Sequence, residues 1–329
     1  MIKQKILIIR LSSIGDIVLT FHALRCLREQ LPHAEIHFLT KPAYKELMLS
    51  CKDLDHLILL EANIKNTRKA IKAEHFTHII DLHNNLRTHR LTFGLRQAIV
   101  KRFKKLNLKK WLLTNFKVDK LPKKHIVDRY IDTLSVLGVK NDYKNTSFEI
   151  PNTHEVSLLS YDILPKEYLT VVLGAQFQTK KLPTHLLQKA LLSYSRPIIL
   201  LGGKDEIQAA NKIQDALSSQ KIINLCGTLS LLGSASVIKQ SGSVLTNDTG
   251  LMHIAAMFDV PIVSVWGNTV PSLGMYPYRP GKENSVKIHE VLGLNCRPCS
   301  KIGYQECPKG HFNCMEKQDI AAIAKDLNF

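Results

Sequence analysis

Two short segments combine residue types that could perform chemistry on a phosphorylated substrate. In Thr246-Asn247-Asp248-Thr249-Gly250-Leu251-Met252-His253, small polar residues turn the chain out of an apolar run and into an Ala-rich helix. Free amides at such a helix start can hold a phosphate, and Gly250 lacks the Cβ that would keep an anion at a distance. His253, about one turn further on, can add a donor to the same anion. The second segment, Arg10-Leu11-Ser12-Ser13-Ile14-Gly15-Asp16, offers two hydroxyls, a permissive Gly15 and one carboxylate at another helix start. Asp16 could take a proton from a substrate, or it could simply cap and charge-complement its helix.

Two further groups follow apolar runs in the second half. Gly174-Ala175-Gln176 leads to Lys180-Lys181-Leu182-Pro183, where Lys180 just before a Pro-marked helix start could neutralise a diphosphate. Gly202-Gly203-Lys204-Asp205-Glu206 carries carboxylates able to accept hydrogen bonds from a ribose. Neither a G-x-G-x-x-G fingerprint nor a G-x-x-x-x-G-K-[ST] loop is present, which argues against NAD enzymes and P-loop NTPases. Near the carboxyl end, Cys296-x2-Cys299-x7-Cys307-x6-Cys314 has the ligand density of a structural zinc site, with His311 a possible substitute, but not the spacing of a standard finger. Four reduced thiols in a loop would give the same pattern.

The elements that must position these residues are legible in the hydrophobic pattern. Lys5–Ile9, Glu35–Leu39, His56–Leu60 and His78–Leu82 read as strands, as do Leu169–Leu173, Pro197–Leu201, Ile222–Leu225, Ser243–Thr246 and Ile262–Val265. Ile17, Phe21, Leu24, Leu27 and Leu31 recur at helical spacing until Pro32 ends the run. Helices are expected near Ile126–Leu137, Thr184–Ser193, Glu206–Leu217, Leu229–Gln240, Gly250–Met257 and Glu316–Leu327. Fully apolar strands alternating with helices imply parallel sheets covered on both faces. The fold class expected is α/β, with two doubly wound Rossmann-like domains facing a cleft. The boundary falls near Glu149–Pro165, giving an acceptor-binding domain over residues 1–155 and a nucleotide-sugar domain over 156–329.

Composition narrows the partners. The 329 residues carry a formal charge of +17, with 45% hydrophobic and 22% charged residues, the balance of a folded protein with an anionic partner. Residues 101–124 hold ten Lys or Arg against Asp119 alone, with Trp111, Leu112, Leu113 and Phe116 interleaved. That mixture suits an anionic membrane surface, although a solvated helix face would look similar. No apolar run approaches the roughly 20 residues of a membrane span, and Met1 leads almost directly into the first strand. The expected location is therefore cytoplasmic, peripheral on the inner face of the inner membrane. Nothing matches a nucleic-acid-binding motif, so no nucleic acid partner is expected.

Taken together, Ser12–Thr20 and Asp248-Thr249-Gly250-x-x-His253-x-Ala255-Ala256 resemble glycosyltransferase family 9, the ADP-heptose:lipopolysaccharide heptosyltransferases. Asp81–Arg87, Lys180–Pro183 and Gly202–Glu206 extend the similarity through nearly the whole chain. The resemblance implies a GT-B architecture, an inverting mechanism and no metal or other cofactor in catalysis. By it Asp16 matches the general base, Lys180 a donor-phosphate contact and Glu206 a ribose contact, with Asp205 a close rival. Asp248, Thr249, Gly250 and His253 match the donor-binding motif. On this reading the donor is ADP-heptose and the acceptor is a lipopolysaccharide core or lipid A-linked sugar. The candidates for gripping that acceptor are Ser12, Ser13, Gly15, Arg87, Arg90, Lys104 and Lys105. Leu173, Leu182 and Asn268 depart from the family pattern, at positions that bear on the donor rather than on the reaction type. A sugar-nucleotide epimerase of the same fold and a basic nucleic-acid-binding protein are the alternatives.

Overall fold

The apolar runs fold as parallel strands in a computed structural model, which describes residues 4–328. Met1 and Phe329, the outer bounds of the two expected domains, lie outside the described residues. The chain divides into two units: Met1–Leu106 with Lys124–Pro151, and Asn107–Lys123 with Asn152–Phe329.

The first unit contains β1 (Lys5–Ile9), β2 (Glu35–Thr40), β3 (His56–Leu59), β4 (His78–Asp81) and β5 (Ile99–Arg102). All pairings are parallel, in the order β3-β2-β1-β4-β5. Helices α1 (Ile14–Val18), α2 (Thr20–Gln30), α3 (Lys45–Met48), α4 (Ile64–Ala73) and α5 (Leu86–Thr92) connect the strands; α6 (Asn107–Phe116), which belongs to the second unit, and α7 (Ile126–Thr133) of the first follow in the chain. One packed face gathers Leu7, Ile9, Leu39, Ile71, Phe76, Ile79 and Leu91. Chain order reverses on either side of β1. The crevice beyond the carboxyl ends of β1 and β4 is therefore the topological switch point, where open α/β sheets bind ligands. Strand β5 was not apparent in the sequence, because Ile99-Val100-Lys101-Arg102 is only half apolar and pairs at a sheet edge.

The second unit contains β6 (Leu169–Val172), β7 (Ile198–Leu201), β8 (Ile222–Asn224), β9 (Ser243–Asn247), β10 (Ile262–Trp266) and β11 (Val286–Glu290). Their order is β11-β10-β9-β6-β7-β8, again wholly parallel. Helices α8 (Thr184–Leu191), α9 (Ile207–Ala216), α10 (Leu231–Gln240), α11 (Gly250–Ala255), α12 (Asn313–Glu316) and α13 (Ile320–Asp326) complete it. Strands β6, β7 and β9 are completely buried, in keeping with sequences made mostly of apolar and small polar residues. The switch point here lies beyond β6 and β9. Edge strand β11, Val-Lys-Ile-His-Glu, alternates too weakly to stand out in the sequence.

Residues 107–123 of the basic segment, which the sequence groups with the first half, pack in the second unit. Leu113 of α6 and Leu121 join Val270 and Leu273 in a small apolar cluster. The Lys117 ammonium donates to the carbonyls of Pro298 at 2.8 Å and Cys296 at 3.3 Å. A few apolar side chains in a charged stretch thus decide where it docks. Among the described residues, no helix is long and apolar enough to cross a membrane.

Candidate functional site

At the first switch point, β1 ends at Ile9, and the next residue, Arg10, is drawn inward rather than out to solvent. Its guanidinium donates to the Ser12 carbonyl at 2.8 Å and the Leu82 carbonyl at 2.7 Å, tying the β1 and β4 exits together. It also forms an ion pair with Asp16 at 2.6 Å. Asp16 is not the residue that caps α1. Ser13 takes the N-cap position and Asp16 lies in the first turn, its Oδ2 accepting from the Ser13 hydroxyl at 2.9 Å and the Ser13 amide at 3.3 Å. The Tyr130 hydroxyl of α7, fully buried, donates to Oδ1 at 3.4 Å. Burial pushes the Asp16 carboxyl up, but the Arg10 charge and the Ser13 hydrogen bonds outweigh it and hold the group below the ordinary carboxylate range. Its side chain keeps 22% of its exposure, so an ionised carboxylate faces the crevice.

Asp81, at the end of β4, organises the neighbouring loop. It accepts from the amides of His83 and Asn84 at 3.0 and 2.7 Å and from the Thr88 hydroxyl at 2.6 Å. Burial, joined by the charges of Arg10 and Lys105, pushes His83 down to about 4, which makes it a neutral imidazole near Asp16. Of the expected acceptor contacts, Ser12, Ser13, Gly15 and Lys105 lie around this crevice. Arg87 and Arg90 on α5 and Lys104 are exposed. Arg10, Tyr130 and His83 had no role in the sequence reading. Arg10 directly after a buried strand was the one available signal, since a cation there must find an anion.

At the second switch point, Lys180 follows β6 and Asp248 follows β9, and their side chains pair at 2.6 Å. The Thr269 hydroxyl donates to the same Asp248 oxygen at 2.8 Å. Asn247 fixes the surrounding loops: it accepts from the Leu182 amide at 3.0 Å and donates to the carbonyls of Val172 and Leu173 at 3.2 and 3.3 Å. Thr249 and Gly250 remain half-buried at the start of α11, whereas His253 is buried within that helix. With six residues, α11 has a small dipole, so Lys180 is the principal positive charge at this corner. An ammonium has three donors; Asp248 takes one and leaves two for phosphate oxygens.

Glu206 is also brought here, with both oxygens engaged. Oε1 accepts from Lys181 at 2.6 Å and Oε2 from the Gly203 amide at 2.8 Å. Gly202 makes this approach possible, because a Cβ there would lie 2.7 Å from that of Glu206. Asp205 points to solvent. The spacing of the sequence did not reveal Lys181 and Thr269, since each acts through a partner brought in by the fold.

The cysteine segment lies close by, its Tyr304 exchanging hydrogen bonds with Thr179 at 2.8 to 3.1 Å. Burial, reinforced by neighbouring thiols of the same segment, pushes Cys299 up to about 11 and Cys314 up to about 12. Cys296 Sγ lies 3.9 Å from His311 Nε2.

Comparison with known proteins identifies the family. Residues 64–308 match glycosyltransferase family 9 (heptosyltransferase), a span that includes Lys180, Glu206, Asp248–Gly250 and His253 and begins after Asp16. The lipooligosaccharide heptosyltransferase 2 of Campylobacter jejuni is 25% identical over 328 residues, covering 95% of both chains. The structure of ADP-heptose lps heptosyltransferase II from E. coli superposes with a TM-score of 0.70 at 18% identity, covering 99% of this chain and 98% of that one. E. coli heptosyltransferase WaaC with ADP gives 0.69 at 18% identity, over 99% of each chain. These two structures share the fold, two parallel-sheet α/β domains of the GT-B type. With its matched span running well over half its length and carrying the second switch point, the chain belongs to glycosyltransferase family 9 and is a glycosyltransferase.

Proposed function

We propose that this enzyme transfers heptose, with inversion, from ADP-heptose to the inner core of a lipopolysaccharide-type acceptor. The observation that carries this reading is the division of labour between the switch points: one presents an ionised carboxylate, the other an ammonium beside open backbone amides. The second unit holds the donor, its diphosphate against Lys180 and the Thr249-Gly250 turn, with His253 supporting and Glu206 placed for the ribose. As the glycosidic bond breaks, charge accumulates on the leaving diphosphate, and Lys180 and the amides stabilise it. Asp16 accepts the proton of the attacking acceptor hydroxyl. A carboxylate held below its usual range is a weak base. It suffices because the hydroxyl becomes acidic only as its oxygen bonds to the electron-poor anomeric carbon.

Acceptor phosphates and carboxylates find cations at Lys105, Arg87, Arg90 and Lys104. Leu108, Trp111 and Phe116 of α6 are exposed among lysines, which supports seating on an anionic membrane at the cytoplasmic face. The four cysteines are assigned one structural zinc on the strength of their spacing; among the described residues they are not drawn into a metal-ligand cluster, so the thiols would have to close on the ion. The test of the central reading is turnover with ADP-, GDP-, UDP- and CDP-sugars on a heptose-deficient core acceptor. Product from ADP-heptose alone, of inverted anomeric configuration, is expected. Equal use of another nucleotide, or a retained configuration, would refute it.

A further inference from the structure

At the other end of the first sheet from Asp16, the amino ends of β2 and β3 bring together three ligand-type side chains. Parallel register pairs His37 with His56, and Glu35, two residues before His37, projects to the same face. The centres of the two rings lie 4.5 Å apart, and the centre of the Phe76 ring lies 4.9 Å from that of His37 in an edge-to-face pair. Glu35 Oε1 lies 2.8 Å from His37 Nε2 and 3.7 Å from His56 Nε2, and the three ligand atoms are all within 4.8 Å of one another. Among the described residues this is the one group with metal-ligand geometry.

We propose that Glu35, His37 and His56 bind a divalent transition cation of the Zn²⁺ class. Tetrahedral zinc with bonds of 2.0–2.2 Å holds its ligands about 3.3 Å apart, a value that the two measured separations straddle. Two imidazoles and a carboxylate match the cation's borderline softness. The site is largely pre-formed, since His37 is buried and braced by Phe76. His56 is 58% exposed, leaving a route for the ion and a fourth position for water. Lys5 occupies part of this role in the metal-free protein, its ammonium 3.2 Å from Glu35 Oε1. Lys5 also pairs with Glu74, which gives it a second anion to retain when a cation takes Glu35. Bound there, the metal would join the starts of β2 and β3 and act on stability rather than on the reaction.

The test is equilibrium uptake of zinc by the full chain, stripped of metal and titrated against a chromophoric chelator. Wild type is compared with His56→Ala, His56→Gln and Lys5→Met, each checked for an unchanged melting temperature without metal. Cobalt substitution separates this site from the cysteines, because thiolate ligands add near-ultraviolet charge-transfer bands and nitrogen and oxygen ligands do not. Wild type should bind one more cation than either His56 variant, with no charge-transfer band for that equivalent. Lys5→Met should bind at least about tenfold more tightly, since a competing charge within about 4 Å has gone. Equal stoichiometry in wild type and both His56 variants, or uptake confined to sites with a thiolate spectrum, would overturn the proposal.

Discussion

Arg10 ties the chemistry of Asp16 to the sheet beneath it. Because the carboxyl is held below its ordinary range, the stability it contributes is present above the unfolded value of about pH 4 and is lost as pH falls through the lower folded value. Arg10→Met removes the strongest influence opposing burial. The acid limb of the kcat/KM profile should therefore move to higher pH, and an unmoved limb would separate Arg10 from the base. At the donor corner, charge-assisted hydrogen bonds contribute about 1.5–3 kcal/mol each. Lys180→Ala should weaken nucleotide-sugar binding by roughly tenfold or more in calorimetry, while His253→Ala tests whether the buried imidazole contributes directly. Lys180→Ala should also lower the melting temperature, because Asp248 would keep only the Thr269 hydroxyl. Unchanged donor affinity would place the diphosphate elsewhere.

Apolar elements were legible, the edge strands β3 and β8 among them, whereas the more charged edge strands β5 and β11 were not. The nine strands read from apolar runs are all present, with ends that coincide or shift by one residue, because most of them are buried and that leaves little choice of composition. Strands β5 and β11, at sheet edges, carry Lys, Arg, His and Glu on faces that packing does not constrain. Asp16, Lys180 and Asp248 could be singled out from strand-to-helix turns, but their pairing required the strand order, which no spacing encodes. Gly202 shows how tightly such turns are built: Gly202→Ala should cost about 1–3 kcal/mol by overpacking against Glu206 and Cys226. Denaturant unfolding would read that loss, and a neutral result would mean that the β7 exit can relax. The basic segment around α6 makes a separate prediction. Replacing exposed Lys109, Lys120 and Lys123 with Glu should reduce sedimentation with anionic vesicles and flatten its salt dependence. Equal binding by wild type and variant would move the membrane contact to another surface.

For the whole molecule, the account rests on separable tasks: the second unit binds the donor and the first supplies the base. The charge of +17 fits the proposed donor, acceptor and membrane, which are all anionic. Composition indicated anionic partners, and the resemblance in two short motifs indicated which reaction. The docking of residues 107–123 in the second unit rests on two leucines and one lysine within a run of charge, too faint a signal to read beforehand. Asp16→Asn separates the two tasks most directly. It preserves shape and can still hydrogen-bond to Ser13, but it cannot take the hydroxyl proton. General-base catalysis contributes about 10²–10⁴-fold, so kcat with a matched core acceptor should fall by that order while ADP-heptose affinity stays within about twofold. Melting temperature, measured alongside, accounts for the lost Arg10 ion pair. Turnover near the wild-type value in a folded Asp16→Asn enzyme would contradict the account, leaving Asp16 only the task of holding Arg10 and Ser13.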